Sequence, residues 1–166
     1  DPAQQQVWLQ FEGVNSSAAV LLNGQKICAH DGGYSTFRAE VTGLLQVENQ
    51  LTVQVDNSVN DRVYPQKADF TFYGGIYRDV SLLVVNQNHI ALGHFGDTGV
   101  KITPDLKEGS ADIQVETLVE GEGTVAVELL DAEGSTVAKG EGSKASLHLD
   151  APHLWNGVKD PYLYTC

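Results

Sequence analysis

Asp69-Phe-Thr-Phe-Tyr-Gly-Gly-Ile-Tyr-Arg-Asp-Val80 is the stretch on which the reading of this chain turns. A plain half-buried strand alternates apolar and polar residues. Here an acid opens the run, aromatics follow at 70, 72 and 73, and a Gly-Gly pair precedes Ile76. The pair gives backbone freedom where the chain must bend sharply or let another surface approach. No general rule of strand or helix formation accounts for this order of residues.

Working outward, Asp56 to Lys67 is a polar loop, too rich in Asn, Asp and Pro65 to be a strand. Asp79 to Val85 reads as a strand, and His89 to Phe95 as a last strand or crossing segment. Upstream, Gln5 to Phe11, Ala18 to Leu22, Gln25 to His30 and Leu51 to Val55 carry strand patterns. Asn23-Gly24 is a strong hairpin signal because both residues tolerate positive φ. Asp31-Gly-Gly33 is a further turn, and Thr42 to Leu45 a short helical turn or loop. Past Gly93 the strands become short and evenly spaced: Val100 to Thr103, Ala111 to Glu120, Thr124 to Leu130, Thr136 to Gly140 and Ala145 to Leu149. Gly turns at 120–123 and 131–134 separate them, a pattern typical of an immunoglobulin-like sandwich. The chain is therefore expected to be all-β, with one domain over residues 1–93 and a second over 94–166. Both ends fall against strand patterns, so strands are expected beyond Asp1 and beyond Cys166.

Composition narrows the function classes. The chain has 166 residues, a formal charge of −12, 42% hydrophobic residues and 17 Gly. The acidic balance argues against nucleic acid, whose phosphates attract basic surfaces. No apolar run approaches the eighteen or so residues that span a membrane. Cys28 and Cys166 are read as one buried and one terminal thiol, and their spacing carries no metal signature. His30, His89, His94, His148 and His153 are scattered without ligand spacing, so no zinc site is expected. The residues assign no compartment.

Phe11-Glu-Gly-Val-Asn15, Leu22-Asn-Gly24, His30-Asp-Gly-Gly-Tyr34, Val53-Gln-Val-Asp-Asn57 and the run from Asp69 to Val80 occur in the order and spacing found in glycoside hydrolase family 2. Pro152-His-Leu-Trp-Asn156 and Asp160-Pro-Tyr-Leu-Tyr164 resemble the closing segment of that family's first immunoglobulin-like domain. The resemblance covers nearly the whole chain. It implies most of a jelly-roll-like, galactose-binding-like sandwich, then an immunoglobulin-like domain truncated at its C-terminus. It also implies a (β/α)8 barrel, absent from this stretch, as the partner. Retaining hydrolysis in this family uses two glutamates about 5–5.5 Å apart. Both belong to the barrel, at strand ends. The acid/base follows an Asn, and this chain has no Asn-Glu dipeptide. No catalytic residue is expected here, and the segment alone should be inactive.

By the same resemblance Asp69 reaches out of the sandwich and accepts hydroxyls of the terminal sugar. An ionised carboxylate makes charge-assisted bonds to such donors. Asp69 is also a candidate contact for a monovalent cation; no cofactor is expected in the segment itself, with Na+ or Mg2+ open for the parent. Tyr73, Asn60, Asp61 and Arg62 are lesser candidates for the sugar pocket, and Asn57 for its frame. Phe70 and Phe72 alternate onto one face, and at least one is expected in the core. Arg78 is expected to pair with a nearby acid, Gly74 and Gly75 to serve the backbone. Trp8 and Trp155 are expected as core anchors, with the barrel interface as an alternative for Trp155.

The parent is expected to be a β-galactosidase with a carbohydrate substrate, and a homo-oligomeric parent fits the family. Two alternatives stand beside this: a β-glucuronidase, whose signature run is related, and a free-standing carbohydrate-binding module. A structural pair of immunoglobulin-like domains explains only the second half.

Overall fold

A computed structural model describes residues 4–166 of the chain, which divide into two compact units. The first holds the residues up to Gln87 together with Leu92–Asp97; the second holds Asn88–Ala91 and Thr98–Cys166. The chain thus passes between units more than once, where the sequence suggested a single cut at 93/94. The local reasons are hydrogen bonds. His89–Ile90 pairs with Val119–Glu120 in the second unit. In the first, the Arg38 guanidinium donates to the carbonyls of Leu92 (3.1 Å) and Asp97 (2.7 Å).

The first unit contains two three-stranded antiparallel sheets. In one, Gln5–Phe11 lies between Phe37–Glu40 and Val80–Asn86. In the other, Ser17–Leu22 lies between Gln25–Asp31 and Leu51–Asp56. Ser17–Leu22 buries every second residue, so Ala18, Val20 and Leu22 face inward. They share one cluster with Leu9, Phe11, Val14, Phe37 and Val41, which makes the two sheets a sandwich. Phe11 is fully buried and stacks on Phe37 at 4.8 Å. The Asn23-Gly24 turn has both residues at positive φ (53° and 82°), the geometry that the Asn-Gly pair was expected to supply. A one-turn 3-10 helix, Thr42–Leu44, follows the Phe37–Glu40 strand.

The second unit has a sheet ordered Val100–Lys107, Ser110–Thr117, Lys144–Asp150, and a ribbon of Ala126–Leu130 with Thr136–Glu141. Its core gathers Ile113, Val115, Val127, Leu129 and Leu147. Here the strands depart from the sequence pattern. The first runs on through Pro104 to Lys107, because it is an edge strand and Pro there forfeits no ladder bond that the sheet needs. The expected single strand 111–120 breaks at Leu118, whose N–H donates to the Gly99 carbonyl and whose carbonyl accepts from Ala91. At 162–166 the backbone makes one bridge, Thr165 with Leu130, rather than a regular strand.

Trp8 is a core residue as expected, but Trp155 is 64% exposed and anchors no core. Phe70 and Phe72 are also outside the core. Phe70 is 54% exposed and Phe72 half-buried, their rings packing on each other at 4.7 Å. Strand alternation fails as a guide here because residues 70–72 lie in a loop, not a strand.

Phe11→Ala should remove the centre of the first sandwich. The expected loss is about 3–5 kcal/mol, read as a lower urea midpoint. A loss under about 1 kcal/mol would mean the two sheets do not share this core.

Candidate sugar-facing loop

Between the strand Leu51–Asp56 and the two-residue strand Gly75–Ile76, the first unit carries a long irregular segment. Such a segment must satisfy its backbone groups without a sheet ladder. Asn60 does much of this. Its Oδ1 accepts the N–H groups of Arg62 (2.9 Å) and Val63 (3.0 Å), and its Nδ2 donates to the Ser58 carbonyl at 3.1 Å. Gln66 closes the knot, its Nε2 donating to the carbonyls of Asn60 and Val63 and its Oε1 accepting from the Asn60 N–H. Val63 is buried and plugs the loop.

Arg62 ties this loop to the sandwich. Its Nε donates to Asp31 Oδ2 at 3.1 Å and its Nη2 to Ser17 Oγ at 3.3 Å. Ser17 Oγ in turn donates to Asp31 Oδ1 at 2.6 Å. The hydroxyl of Ser17 first, and then the guanidinium of Arg62, hold the Asp31 carboxyl below the usual carboxylate range. The pair is substantially exposed, so its energetic weight is small. It borders a cleft of about 360 Å³ that Lys26, Gln54 and Asp56 also line.

The Gly-Gly pair has two separate causes. A Cβ at Gly74 would stand 2.8 Å from Asn57 Cγ, so a side chain there would require the Asn57 side chain to move. Gly75 instead lies at φ 91°, a conformation that L side chains rarely adopt. Beyond it, Val14–Asn15 pairs with Gly75–Ile76, and the Tyr77 N–H donates to the Gly13 carbonyl at 3.3 Å. The Tyr77 hydroxyl donates to the Gly33 carbonyl. Arg78 donates to the carbonyls of Glu12 (3.4 Å) and Tyr34 (3.2 Å), not to an acid as expected from sequence. Its guanidinium lies 5.3 Å from the Tyr77 ring, a cation–π contact.

Asp69 is exposed and, among the described residues, has no hydrogen-bond or ion-pair partner. Tyr73 is exposed at its ring, while its carbonyl accepts from Asn15 Nδ2 at 2.8 Å. Asp61 is exposed. Asn60 bonds within the loop, and Arg62 bonds to the sandwich while its side chain stays 57% exposed. A cation near Asp69 would find one carboxylate here; among the described residues no group of three or more His, Cys, Asp and Glu could hold a metal ion. Cys28 is half-buried, which pushes its thiol pKa up, and Cys166 is exposed; both are free thiols.

One residue that sequence reasoning did not weigh is Asn15. It is buried at 7% exposure between Val14 and Ser16. The available signal was a carboxamide embedded next to an apolar strand residue, since a buried polar group needs a partner.

The models for known families match the chain almost end to end. "Glycosyl hydrolases family 2, sugar binding domain" covers residues 2–86, and "Glycosyl hydrolases family 2" covers 94–166. A β-glucuronidase of Bacteroides fragilis is 32% identical over 95% of this chain and 25% of its own length. A β-galactosidase of Thermoanaerobacter pseudethanolicus is 31% identical over 95% of this chain and 23% of its own. Among solved structures, an FMN-binding β-glucuronidase from Facaelibacterium prausnitzii L2-6 superposes with a TM-score of 0.87 at 34% identity, over 96% of this chain and 26% of that one. The chain therefore spans about a quarter of the length of these relatives.

The Asp31 link has a definite pH sign. Its folded pKa is depressed, so its contribution is present above the unfolded carboxylate value of about 3.9 and is lost as pH falls through the folded value. An NMR titration should put the Asp31 midpoint below that of an ordinary aspartate, and Ser17→Ala or Arg62→Ala should each raise it. An unmoved midpoint in both variants would remove the link.

Proposed function

The chain belongs to glycoside hydrolase family 2, and on that footing we propose that it is the non-catalytic N-terminal segment of a retaining β-glycosidase, completing the barrel's sugar pocket through Asp69. One observation carries the reading: an exposed carboxylate without a protein partner among the described residues heads the signature run on a braced loop of the sugar-binding domain. A free carboxylate in that place is available to two or more sugar hydroxyls, and such bonds are worth about 1.5–3 kcal/mol each. The barrel supplies both glutamates and is the segment's main partner. Asp69 then positions the non-reducing-end sugar, and the sandwich behind it excludes longer chains, which favours exo-action. Na+ or Mg2+ in the parent belongs to the same proposal, with Asp69 as a single ligand.

A terminal β-galactoside is the substrate we favour. The segment carries a net charge of −12. A neutral hexose meets no repulsion from Asp69, whereas the carboxylate of a uronic acid does. The second reading, a β-glucuronide, is supported by relatives of that name. Turnover of aryl β-galactoside and aryl β-glucuronide by the full-length parent separates them; higher kcat/KM on the glucuronide reverses our choice.

Asp69→Ala in the full-length parent should lower kcat/KM by about 100-fold or more, from two lost charge-assisted bonds, with the melting temperature little changed. Near-normal turnover sinks the reading. Calorimetry with galactose on this segment alone should show no binding; clear saturation would favour a free-standing carbohydrate-binding module.

A further inference from the structure

We infer that Asn15 is a positioning residue for Asp69, fixing the chain that follows this carboxylate; the inference rests on the reading of Asp69 given above. Asp69 makes no hydrogen bond or ion pair among the described residues, so its place is set by the backbone on either side. On the N-terminal side the bonds of Gln66 stay within the loop. On the C-terminal side the bond from Asn15 Nδ2 to the Tyr73 carbonyl, at 2.8 Å, ties the segment to the sandwich four residues after Asp69.

Asn15 is built to hold that carbonyl rigidly. Its backbone stands opposite Gly75 in the short ladder, so main chain and side chain grip residues 73 and 75 together. Its other amide atom, Oδ1, lies so close to Gly33 that a Cβ there would stand 2.6 Å away. The carboxamide is therefore confined between Gly33 and Tyr73, and it is 7% exposed. A donor so enclosed cannot be replaced by water without opening the site, so its loss leaves the carbonyl free to shift. A displacement of about 1 Å in a substrate-positioning group can cost about 100-fold in rate.

The test is a double-mutant cycle in the full-length parent with Asp69→Ala and Asn15→Asp, reading kcat/KM on the preferred aryl glycoside. Asn15→Asp keeps the size and removes the donor. It should lower kcat/KM about tenfold or more, and the double variant should fall within about threefold of Asp69→Ala alone. The deficit of Asn15→Asp relative to wild type should also shrink as pH falls, because a protonated carboxyl regains a donor for the Tyr73 carbonyl. If the two losses multiply in the double variant, or Asn15→Asp turns over normally, the inference is overturned. A silent Asp69→Ala instead overturns the reading of Asp69 itself, so the two failures are distinguishable. Circular dichroism verifies folding, and if Asn15→Asp does not fold, the cycle is run with Asn15→Ser, which withdraws the donor from Tyr73 by truncation.

Discussion

The short ladder between Val14–Asn15 and Gly75–Ile76 is the constraint on which the candidate site depends. A long loop without sheet pairing leaves and re-enters the first sandwich, and its backbone groups need partners at both ends. At the return end the ladder, the Asn15 carboxamide and the Tyr77 N–H capture residues 73–77 in sequence. The Gly-Gly pair is a consequence of this closure. Gly74 lies against the Asn57 side chain, which a Cβ would displace, and Gly75 takes the positive φ that turns the chain into the ladder.

Several polar side chains around the loop are engaged within the protein. Asn60 and Gln66 are consumed in bracing the loop, Arg62 in tying it to Asp31 and Ser17, and Arg78 in two carbonyls. Asp69 is left with an unspent acceptor. An acidic segment that keeps such a carboxylate free is suited to accepting hydroxyls from a neutral sugar.

The strands of both units were legible because period-two burial needs little context. Ser17–Leu22 follows it throughout and Leu51–Asp56 follows it from Thr52 on, and Asn23-Gly24 marked its hairpin by φ preference alone. Pro104 and Leu118 were misread because their treatment depends on which strand is at an edge and where a neighbouring carbonyl lies. The same is true of Phe70, Phe72 and Trp155. Hydrophobicity placed at least one of the two Phe residues and Trp155 in cores, with the barrel interface as the alternative for Trp155; Phe70 and Trp155 are exposed and Phe72 is half-buried. Family order located the Asp69 run, whereas its support by Asn15 is a long-range contact between residues 58 positions apart and left no local pattern to read.

The most direct measurement is a crystal structure of the full-length parent with galactose or a galactose-like inhibitor in its barrel. The account predicts a carboxylate oxygen of Asp69 within about 3.2 Å of a sugar hydroxyl, hydrogen-bonding distance. A sugar seated on the barrel glutamates with Asp69 facing solvent, beyond reach of any hydroxyl, would contradict it.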